Sequence, residues 1–235
     1  MNTTFIHGFT QTGESWRPIL DRGRFGDATC FDAPGHGASA PMDTSLWAVA
    51  DTLASTMARG GLVGYSMGGR IALHIALAHP TLVSRLVLIS STPGLRSDNE
   101  RSERRAGDER LAQRITEIGV NTFIDEWMRG PLFATYTPDD SDLRARRANS
   151  AVGLASSLIH QGTGSQDDLW PRLGELRMPV LLITGELDTK FTDIAQRMRT
   201  MIADATLVTV RKAGHSVHLE RPDVVAQLLT DFLDA

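Results

Sequence analysis

Short apolar runs alternate with amphipathic segments along this chain, and the alternation predicts its architecture. Segments with helical periodicity, such as 43–58 and 68–79, separate most of the apolar runs. Strands that alternate with helices in this way form parallel βαβ units. The pattern therefore predicts an α/β fold with a mainly parallel sheet of about six strands, located at 3–6, 27–32, 60–65, 85–90, 179–184 and 205–210. Asp43 is the expected N-cap of the helix that begins there.

Almost ninety residues interrupt this alternation between the strands at 85–90 and 179–184. A structureless loop of that length is uncommon in a compact domain. The interruption instead carries helical patterns, at about 99–118, 120–128, 139–149 and 151–161. We therefore expect one domain over 1–235, with a helical cap inserted at 95–165 that covers the carboxyl ends of the strands.

A Gly-x-Ser-x-Gly sequence, Gly64-Tyr65-Ser66-Met67-Gly68, joins the third predicted strand to the helix that follows. With a strand before it and a helix after it, this motif is typical of the nucleophile elbow, in which the serine stands on a sharp turn. The glycines are needed because the backbone of such a turn is strained and has no room for a Cβ. The pattern predicts Ser66 as the reactive residue.

An acid and a histidine follow two later strands, in the order expected after the serine. Asp188 comes just after the strand at 179–184, and His215 comes after the strand at 205–210. In parallel α/β sheets, ligand sites lie beyond the carboxyl ends of the strands. We therefore expect Asp188 to orient His215, and His215 to accept the proton of Ser66.

The residues leave two alternatives open for this triad. Glu186 lies two residues before Asp188 and is a second candidate for the acid. His218 lies three residues after His215, where the last helix begins, and is a second candidate for the base.

The first strand leads into His7-Gly8-Phe9. A His-Gly turn at this place is typical of the loop that supplies one N–H group to an oxyanion hole. We therefore predict the N–H groups of Phe9 and Met67 as the two donors that stabilise negative charge on a substrate oxygen. The ring of His7 is interpreted as a brace for the turn.

Composition and charge narrow the function. A hydrophobic content of 41% and a charged content of 22% are ordinary for a globular protein, and the net charge of −4 argues against nucleic-acid binding. Cys30 is the only cysteine, and the histidines lack metal-ligand spacing, so we expect no disulfide, metal or cofactor. With no signal-like N-terminus and no long apolar run, we expect a cytoplasmic protein that does not bind membranes.

Taken together, these motifs resemble the α/β-hydrolase fold family. More narrowly, they resemble the 2-succinyl-6-hydroxy-2,4-cyclohexadiene-1-carboxylate synthases of menaquinone biosynthesis. The resemblance extends over nearly the whole chain. It rests on segments spread along the sequence, which are His7-Gly8-Phe9 with Trp16, Asp32 to Gly37, Gly64 to Arg70, Pro93 to Leu95, Glu103 to Arg105, Arg147 to Asn149, and Gly185 to Phe191.

The resemblance implies a lyase that eliminates pyruvate from a small substrate with several carboxylates and uses no cofactor. It implies that Arg70, Arg104 and Arg147 bind the carboxylates, and that Tyr65 and Trp127 form the pocket wall. A hydrolase of esters or carbon–carbon bonds remains one alternative class, and a binding protein that uses the pocket without turnover is the other.

The chain departs from the family pattern in two places. The family usually has two more strands before the His-Gly turn, so we expect a sheet without an antiparallel N-terminal pair. Ser216 follows His215 where the family often has asparagine. Neither departure falls on the predicted site residues. The oligomeric state does not follow from the sequence.

Overall fold

Six strands form one sheet at the centre of the protein, described here for all 235 residues by a computed structural model. The strand order is β2-β1-β3-β4-β5-β6, and every neighbouring pair runs parallel. The strands are β1 (Thr3–Ile6), β2 (Ala28–Phe31), β3 (Gly60–Tyr65), β4 (Val83–Ile89), β5 (Val180–Gly185) and β6 (Ala205–Val210). The predicted α/β fold is confirmed, and the sheet contains no antiparallel pair.

Helices cover both faces of the sheet and form an insertion between β4 and β5. They are α1 (Arg17–Leu20), α2 (Leu46–Ala54), α3 (Met67–Ala78), α4 (Asp98–Met128), α5 (Asp140–Arg147), α6 (Ala151–Gln161), α7 (Thr189–Met201), α8 (Val217–Glu220) and α9 (Pro222–Asp234). None of them combines the length and the apolar character that crossing a bilayer requires. Short 3₁₀ turns at 13–16, 131–133 and 170–175 complete the chain.

Alternate side chains of the strands enter two different cores because successive residues of a strand point to opposite faces. In β3, Leu62 packs with α2, α3 and α7, whereas Val63 packs with α1, α8 and α9. Both side chains are completely buried. Both faces of the central strands are therefore buried, and polar side chains can reach a cavity only beyond the carboxyl ends of the strands.

The start of α2 differs from the prediction. Ser45, not Asp43, is the N-cap, and its hydroxyl accepts a hydrogen bond from the N–H of Ala48. The carboxylate of Asp43 accepts a hydrogen bond of 2.8 Å from the hydroxyl of Ser156 in α6. Asp43 therefore connects the insertion to the loop before α2, a contact between distant parts of the chain that local patterning does not reveal.

The insertion between β4 and β5 has a small apolar core of its own. Ile115, Phe123 and Ile124 of α4 pack against Leu154 and Leu158 of α6, and all five are buried. The second half of α4 faces the loop after β1, where the ring of Trp127 lies 5.4 Å from that of Phe9. This packing places the helices at 98–161 beside the carboxyl ends of the strands.

Helix α4 is broken at Gly119, where φ is 76° and ψ is 163°. This conformation is essentially restricted to glycine. We expect Gly119→Ala to lower the free energy of unfolding by about 1–3 kcal/mol because alanine is strained there. Gly107 is the matched control, since it has helical geometry and open space around it.

Gly107→Ala is expected to raise the free energy of unfolding by about 0.5–1 kcal/mol, because alanine loses less conformational freedom than glycine on entering a helix. Urea unfolding of the two variants and the parent measures both changes. Equal effects of the two substitutions would contradict a special role for the break at Gly119.

Candidate active site

Ser66 stands between β3 and α3 with a backbone φ of 50°. A Cβ at Gly64 would overlap the carbonyl oxygen of Gly68, and a Cβ at Gly68 would overlap the carbonyl oxygen of Ile6. The N–H of Ser66 donates to the carbonyl oxygen of Ile89 at 2.8 Å, which fixes the turn to β4. The two glycines thus let helix α3 approach the sheet closely enough to hold Ser66 in this strained position.

A chain of hydrogen bonds joins Ser66, His215 and Asp188. Nδ1 of His215 lies 2.7 Å from Oδ2 of Asp188, and Nε2 lies 3.1 Å from Oγ of Ser66. A carboxylate only accepts hydrogen bonds, so Nδ1 carries the proton and Nε2 faces Ser66 with its lone pair. The other oxygen of Asp188 accepts from the N–H of Phe191 at the start of α7. Geometrically, the three groups can pass a proton from Ser66 to His215.

The two alternative residues lie in other surroundings. Glu186 accepts a hydrogen bond of 3.0 Å from the N–H of Lys212 and has no contact with His215. His218 is completely buried, with its ring 4.1 Å from that of Tyr65 and 5.0 Å from that of Trp16. Neither is placed to exchange a proton with Ser66.

The two predicted oxyanion donors belong to segments on either side of Ser66. Both Phe9 and Met67 line the cavity that contains Ser66. The N–H of Phe9 donates no hydrogen bond within the protein. The N–H of Met67 is the first of helix α3 and has no acceptor within the helix, so it adds to the partial positive charge of that helix end.

Two cavities meet at Ser66, and we name them the main and the side cavity. The main cavity extends towards the insertion and is also lined by Arg70, Arg104, Gln161 and Lys190. The side cavity extends under the loop after β1 and is also lined by Gln11, Tyr65, Phe133 and Arg146. Both share the residues at their junction, which are Phe9, Ser66, Trp127, Leu132 and His215.

Arg70 is buried in the wall of the main cavity without an acidic partner. It lies one helical turn after Ser66 on α3, and its Nη1 donates to the carbonyl oxygen of Gln161 at 2.6 Å. Burial, reinforced by the nearby charge of Arg104, lowers the pKa of Arg70 to about 10. A buried cation without a counter-ion is costly, so this site favours a bound anion.

Arg104 also lines the main cavity, but it is paired. Its Nε donates to Oδ1 of Asp108 at 2.8 Å, and that carboxylate is buried. The second oxygen of Asp108 accepts from the N–H of Gly164. Asp108 therefore holds the Arg104 side chain against the 162–164 turn, with part of the guanidinium left for a ligand.

The structure does not support the prediction for Arg147. Its Nη2 donates to Asp125 at 2.6 Å on the outer surface, and it lines neither cavity. Arg146, its neighbour in sequence, is the buried cation and lines the side cavity. Nη2 of Arg146 is buried and has no hydrogen-bond partner.

Lys190 is another cation of the main cavity that sequence reasoning missed. It has no ion pair in the structure and lies near the start of α7, two residues after Asp188. The one signal that could have identified Lys190 is its position within Gly185 to Phe191, a segment that carries the family resemblance and contains Asp188.

Tyr65 and Trp127 both lie in the cavity walls, as the resemblance implies. The hydroxyl of Tyr65 lies within hydrogen-bond distance, 3.2 Å, of the hydroxyl of Ser216. Ser216 therefore contacts the pocket wall through Tyr65. Burial raises the pKa of Tyr65 well above its ordinary value. The Nε1–H of Trp127 is buried and has no hydrogen-bond partner.

No three metal-ligating side chains come together anywhere in the protein.

Two buried imidazoles support the loop after β1, and they make stability depend on pH. Burial lowers the pKa of His7 to about 4 and that of His36 to about 3, below the value of 6.5 expected in an unfolded chain. Below pH 6.5 the unfolded chain therefore binds protons that the folded protein does not. We expect the free energy of unfolding to fall between pH 6.5 and 5, approaching roughly 1.4 kcal/mol per pH unit for each histidine.

Urea unfolding at several pH values measures this dependence. The stabilising contribution is complete above pH 6.5 and is lost as the pH falls. A stability that stays constant between pH 6.5 and 5 would contradict the burial of neutral imidazoles.

Comparison with known proteins identifies the family. Residues 5–228 match the alpha/beta hydrolase family. The putative 2-succinyl-6-hydroxy-2,4-cyclohexadiene-1-carboxylate synthase of Bacillus subtilis (strain 168) is 37% identical over 97% of this chain and 88% of its own. The synthase of that name from Salmonella paratyphi C is 32% identical over 97% and 92%.

A solved structure leads to the same group of proteins. MenH from S. aureus superposes with a TM-score of 0.94 at 29% identity, covering 100% of this chain and 93% of its own. The chain therefore belongs to the alpha/beta hydrolase family, and its resemblance to the 2-succinyl-6-hydroxy-2,4-cyclohexadiene-1-carboxylate synthases within that family is confirmed.

Proposed function

We propose that this protein is a pyruvate-eliminating lyase of menaquinone biosynthesis. It converts 2-succinyl-5-enolpyruvyl-6-hydroxy-3-cyclohexene-1-carboxylate to 2-succinyl-6-hydroxy-2,4-cyclohexadiene-1-carboxylate. The observation that carries the proposal is the buried cation Arg70, which lacks a counter-ion and lies one helical turn from a serine bonded to His215. The names of the relatives agree with this reaction.

The charges of the two cavities suit a substrate with three carboxylates. Their walls hold four cations, namely Arg70, Arg104, Arg146 and Lys190. Two of these are paired, Arg104 with Asp108 and Arg146 with Asp142. Arg70 and Lys190 are therefore the two cavity cations that form no ion pair within the protein. Guanidinium groups bind carboxylates through paired hydrogen bonds, which also fix the orientation of the substrate.

The substrate and product differ by the loss of pyruvate and by the position of ring double bonds. A proton leaves ring carbon 2, and its electron pair forms the double bond between carbons 2 and 3. The former double bond moves to carbons 4 and 5, and the bond from carbon 5 to the enolpyruvyl oxygen breaks with its electron pair left on that oxygen. The released enolate takes up one proton at its methylene carbon and becomes pyruvate, which balances the proton lost from carbon 2. Carbon 2 is adjacent to the succinyl ketone, so negative charge develops on the ketone oxygen as the proton leaves.

The residues at the junction of the cavities have roles that match these steps. His215, oriented by Asp188, takes the hydroxyl proton of Ser66, and the Ser66 oxygen removes the ring proton. The N–H groups of Phe9 and Met67 stabilise the charge on the ketone oxygen. Ser66 then acts as a base and forms no covalent bond with the substrate.

Supplying the enolpyruvyl substrate and measuring pyruvate with lactate dehydrogenase and NADH tests the proposal. We expect one pyruvate for each cyclohexadiene formed, at a rate far above the spontaneous elimination. Ser66→Ala is the control for enzyme-independent release. Pyruvate release that is no faster than in the absence of the protein would refute the lyase proposal.

Hydrolysis with Ser66 as nucleophile is the second candidate. The observation in its favour is the 3.1 Å contact between Ser66 and His215 beside the free N–H of Phe9, an arrangement that also suits acyl transfer. Mass spectrometry of the protein after incubation with p-nitrophenyl esters distinguishes the hydrolase from the lyase. An acyl adduct on Ser66 together with no pyruvate release would favour the hydrolase.

A further inference from the structure

Thr10 follows Phe9 and is completely buried, with a positive φ of 70°. All of its polar groups have partners. Its N–H donates to Nε2 of His36 at 3.2 Å, and its hydroxyl accepts from Nη1 of Arg146 at 2.6 Å. Its carbonyl oxygen accepts from Nδ2 of Asn149 at 2.8 Å. A non-glycine residue persists at positive φ only where its surroundings hold it there, and these contacts do so.

The same loop leaves one N–H free. The N–H of Gly8 donates to Oε1 of Gln11 at 3.0 Å, and the N–H of Gln11 donates to the carbonyl oxygen of Gly8 at 3.1 Å. With the N–H of Thr10 occupied by His36, Phe9 alone between positions 8 and 11 keeps a donor without an acceptor. The contacts on both sides therefore determine where this donor lies.

Asn149 connects this loop to two other parts of the chain. It lies buried in the turn between α5 and α6, where its Nδ2 also donates to the carbonyl oxygen of Arg146 at 2.9 Å. Its Oδ1 accepts from the N–H of Gly37, in the loop after β2, at 2.8 Å. One amide side chain thus joins the loops after β1 and β2 to the insertion.

We infer that Asn149 is a positioning residue, which holds the Phe9 N–H in place for charge stabilisation through the carbonyl of Thr10. The inference rests on the proposed function only in treating that N–H as a donor to the developing negative charge. It makes a turn of the insertion part of the catalytic arrangement, although Asn149 lines neither cavity. A donor that moves by about 1 Å loses much of its effect on the transition state.

Asn149→Asp tests this role because it keeps the oxygen that accepts from Gly37 and replaces the donor to Thr10 by an acceptor. Two quantities are measured. One is the division of the effect between kcat and KM for pyruvate release. The other is the rate of phosphonylation of Ser66 by a fluorophosphonate, whose oxygen also needs the oxyanion donors. We expect kcat and the phosphonylation rate to fall about 10- to 100-fold, with KM changed less than about 3-fold.

Ser150→Ala is the matched control in the same turn. The Ser150 hydroxyl caps α6 through the N–H of Gly153 and does not contact Thr10. We expect it to lower the Tm and to leave kcat and phosphonylation unchanged. Equal losses in Ser150→Ala and Asn149→Asp would show a merely structural role and overturn the inference, as would unchanged rates in Asn149→Asp.

Phosphonylation also separates this inference from the proposed function. If the parent protein is phosphonylated at Ser66 but releases no pyruvate, the lyase proposal fails and the phosphonylation rates still decide the role of Asn149. If Asn149→Asp does not fold, Asn149→Ala takes its place, with the same fall expected. An unchanged phosphonylation rate in Asn149→Ala would overturn the inference.

Discussion

Ser66→Ala is expected to lower kcat for pyruvate release by on the order of 10⁴-fold or more. The substitution removes the oxygen that lies 3.1 Å from Nε2 of His215, while the cations of the cavities remain. Substrate binding should therefore change little, and the loss should fall on kcat. A stopped-flow or coupled assay of pyruvate measures it, with binding of the unreacted substrate followed by calorimetry. A variant that keeps more than a tenth of the activity would exclude Ser66 as the base.

His215→Ala and Asp188→Asn should each cause losses of a similar order, and combining them with Ser66→Ala should add little, because the three groups act as a unit. Glu186→Gln is the matched control, since it removes a nearby carboxylate that bonds only to the N–H of Lys212. We expect it to keep nearly full activity. Full activity in Asp188→Asn with loss in Glu186→Gln would reverse the assignment of the acid.

Outside the Ser66–His215–Asp188 triad, Arg70→Ala is expected to cause the largest loss, about 100-fold in kcat/KM. A charge-assisted hydrogen bond contributes about 1.5–3 kcal/mol, which corresponds to roughly 10- to 150-fold. The loss in Arg70→Ala should lie towards the upper end of this range because the Arg70 side chain is buried. Its removal also leaves no carboxylate unpaired, since its partner is the carbonyl of Gln161. Steady-state kinetics of pyruvate release measures the change.

Two further arginines serve as comparisons for Arg70→Ala. Arg104→Ala should cause a smaller loss, roughly 10-fold, because Asp108 already occupies part of that guanidinium. Arg147→Ala should cause almost none, since Arg147 lies outside both cavities. A small neutral ester, if it is hydrolysed, has no carboxylate to lose and should be turned over equally by all three variants. Equal losses on both substrates would instead indicate a collapsed site.

The strands and the Ser66–His215–Asp188 chain were predictable because their signals are local. The central strands β3, β4 and β5 are rich in apolar residues, and the reactive residues come shortly after strand ends. Ser66, Asp188 and His215 lie one, three and five residues after β3, β5 and β6. The fold then brings the three together because parallel strands end at the same edge of the sheet. The break in α4 was also predictable, since the helical patterns ended and resumed around Gly119.

The direction of the insertion's arginines could not be predicted. Arg146 and Arg147 follow Leu143, the one large apolar residue of α5, by three and four positions, and both spacings place a side chain on the same face of a helix. Only the packing of α5 against Thr10 and Phe133 decides that the Arg146 side chain enters the side cavity and that the Arg147 side chain stays on the outer surface. The N-cap of α2 could not be predicted for the same reason. Asp43 accepts a hydrogen bond from Ser156 of α6, and Ser45 caps α2 instead.

The bonds from Arg146 and Asn149 to Thr10 set a limit for protein engineering. One route to a new substrate range is to exchange residues 98–161 with those of a relative. The incoming helices would have to supply a guanidinium and an amide at the same two places, or Thr10 would lose two of its three partners. Libraries aimed at new substrates should therefore begin with Leu132, Thr163 and Lys190, which line the main cavity without bonding to that loop.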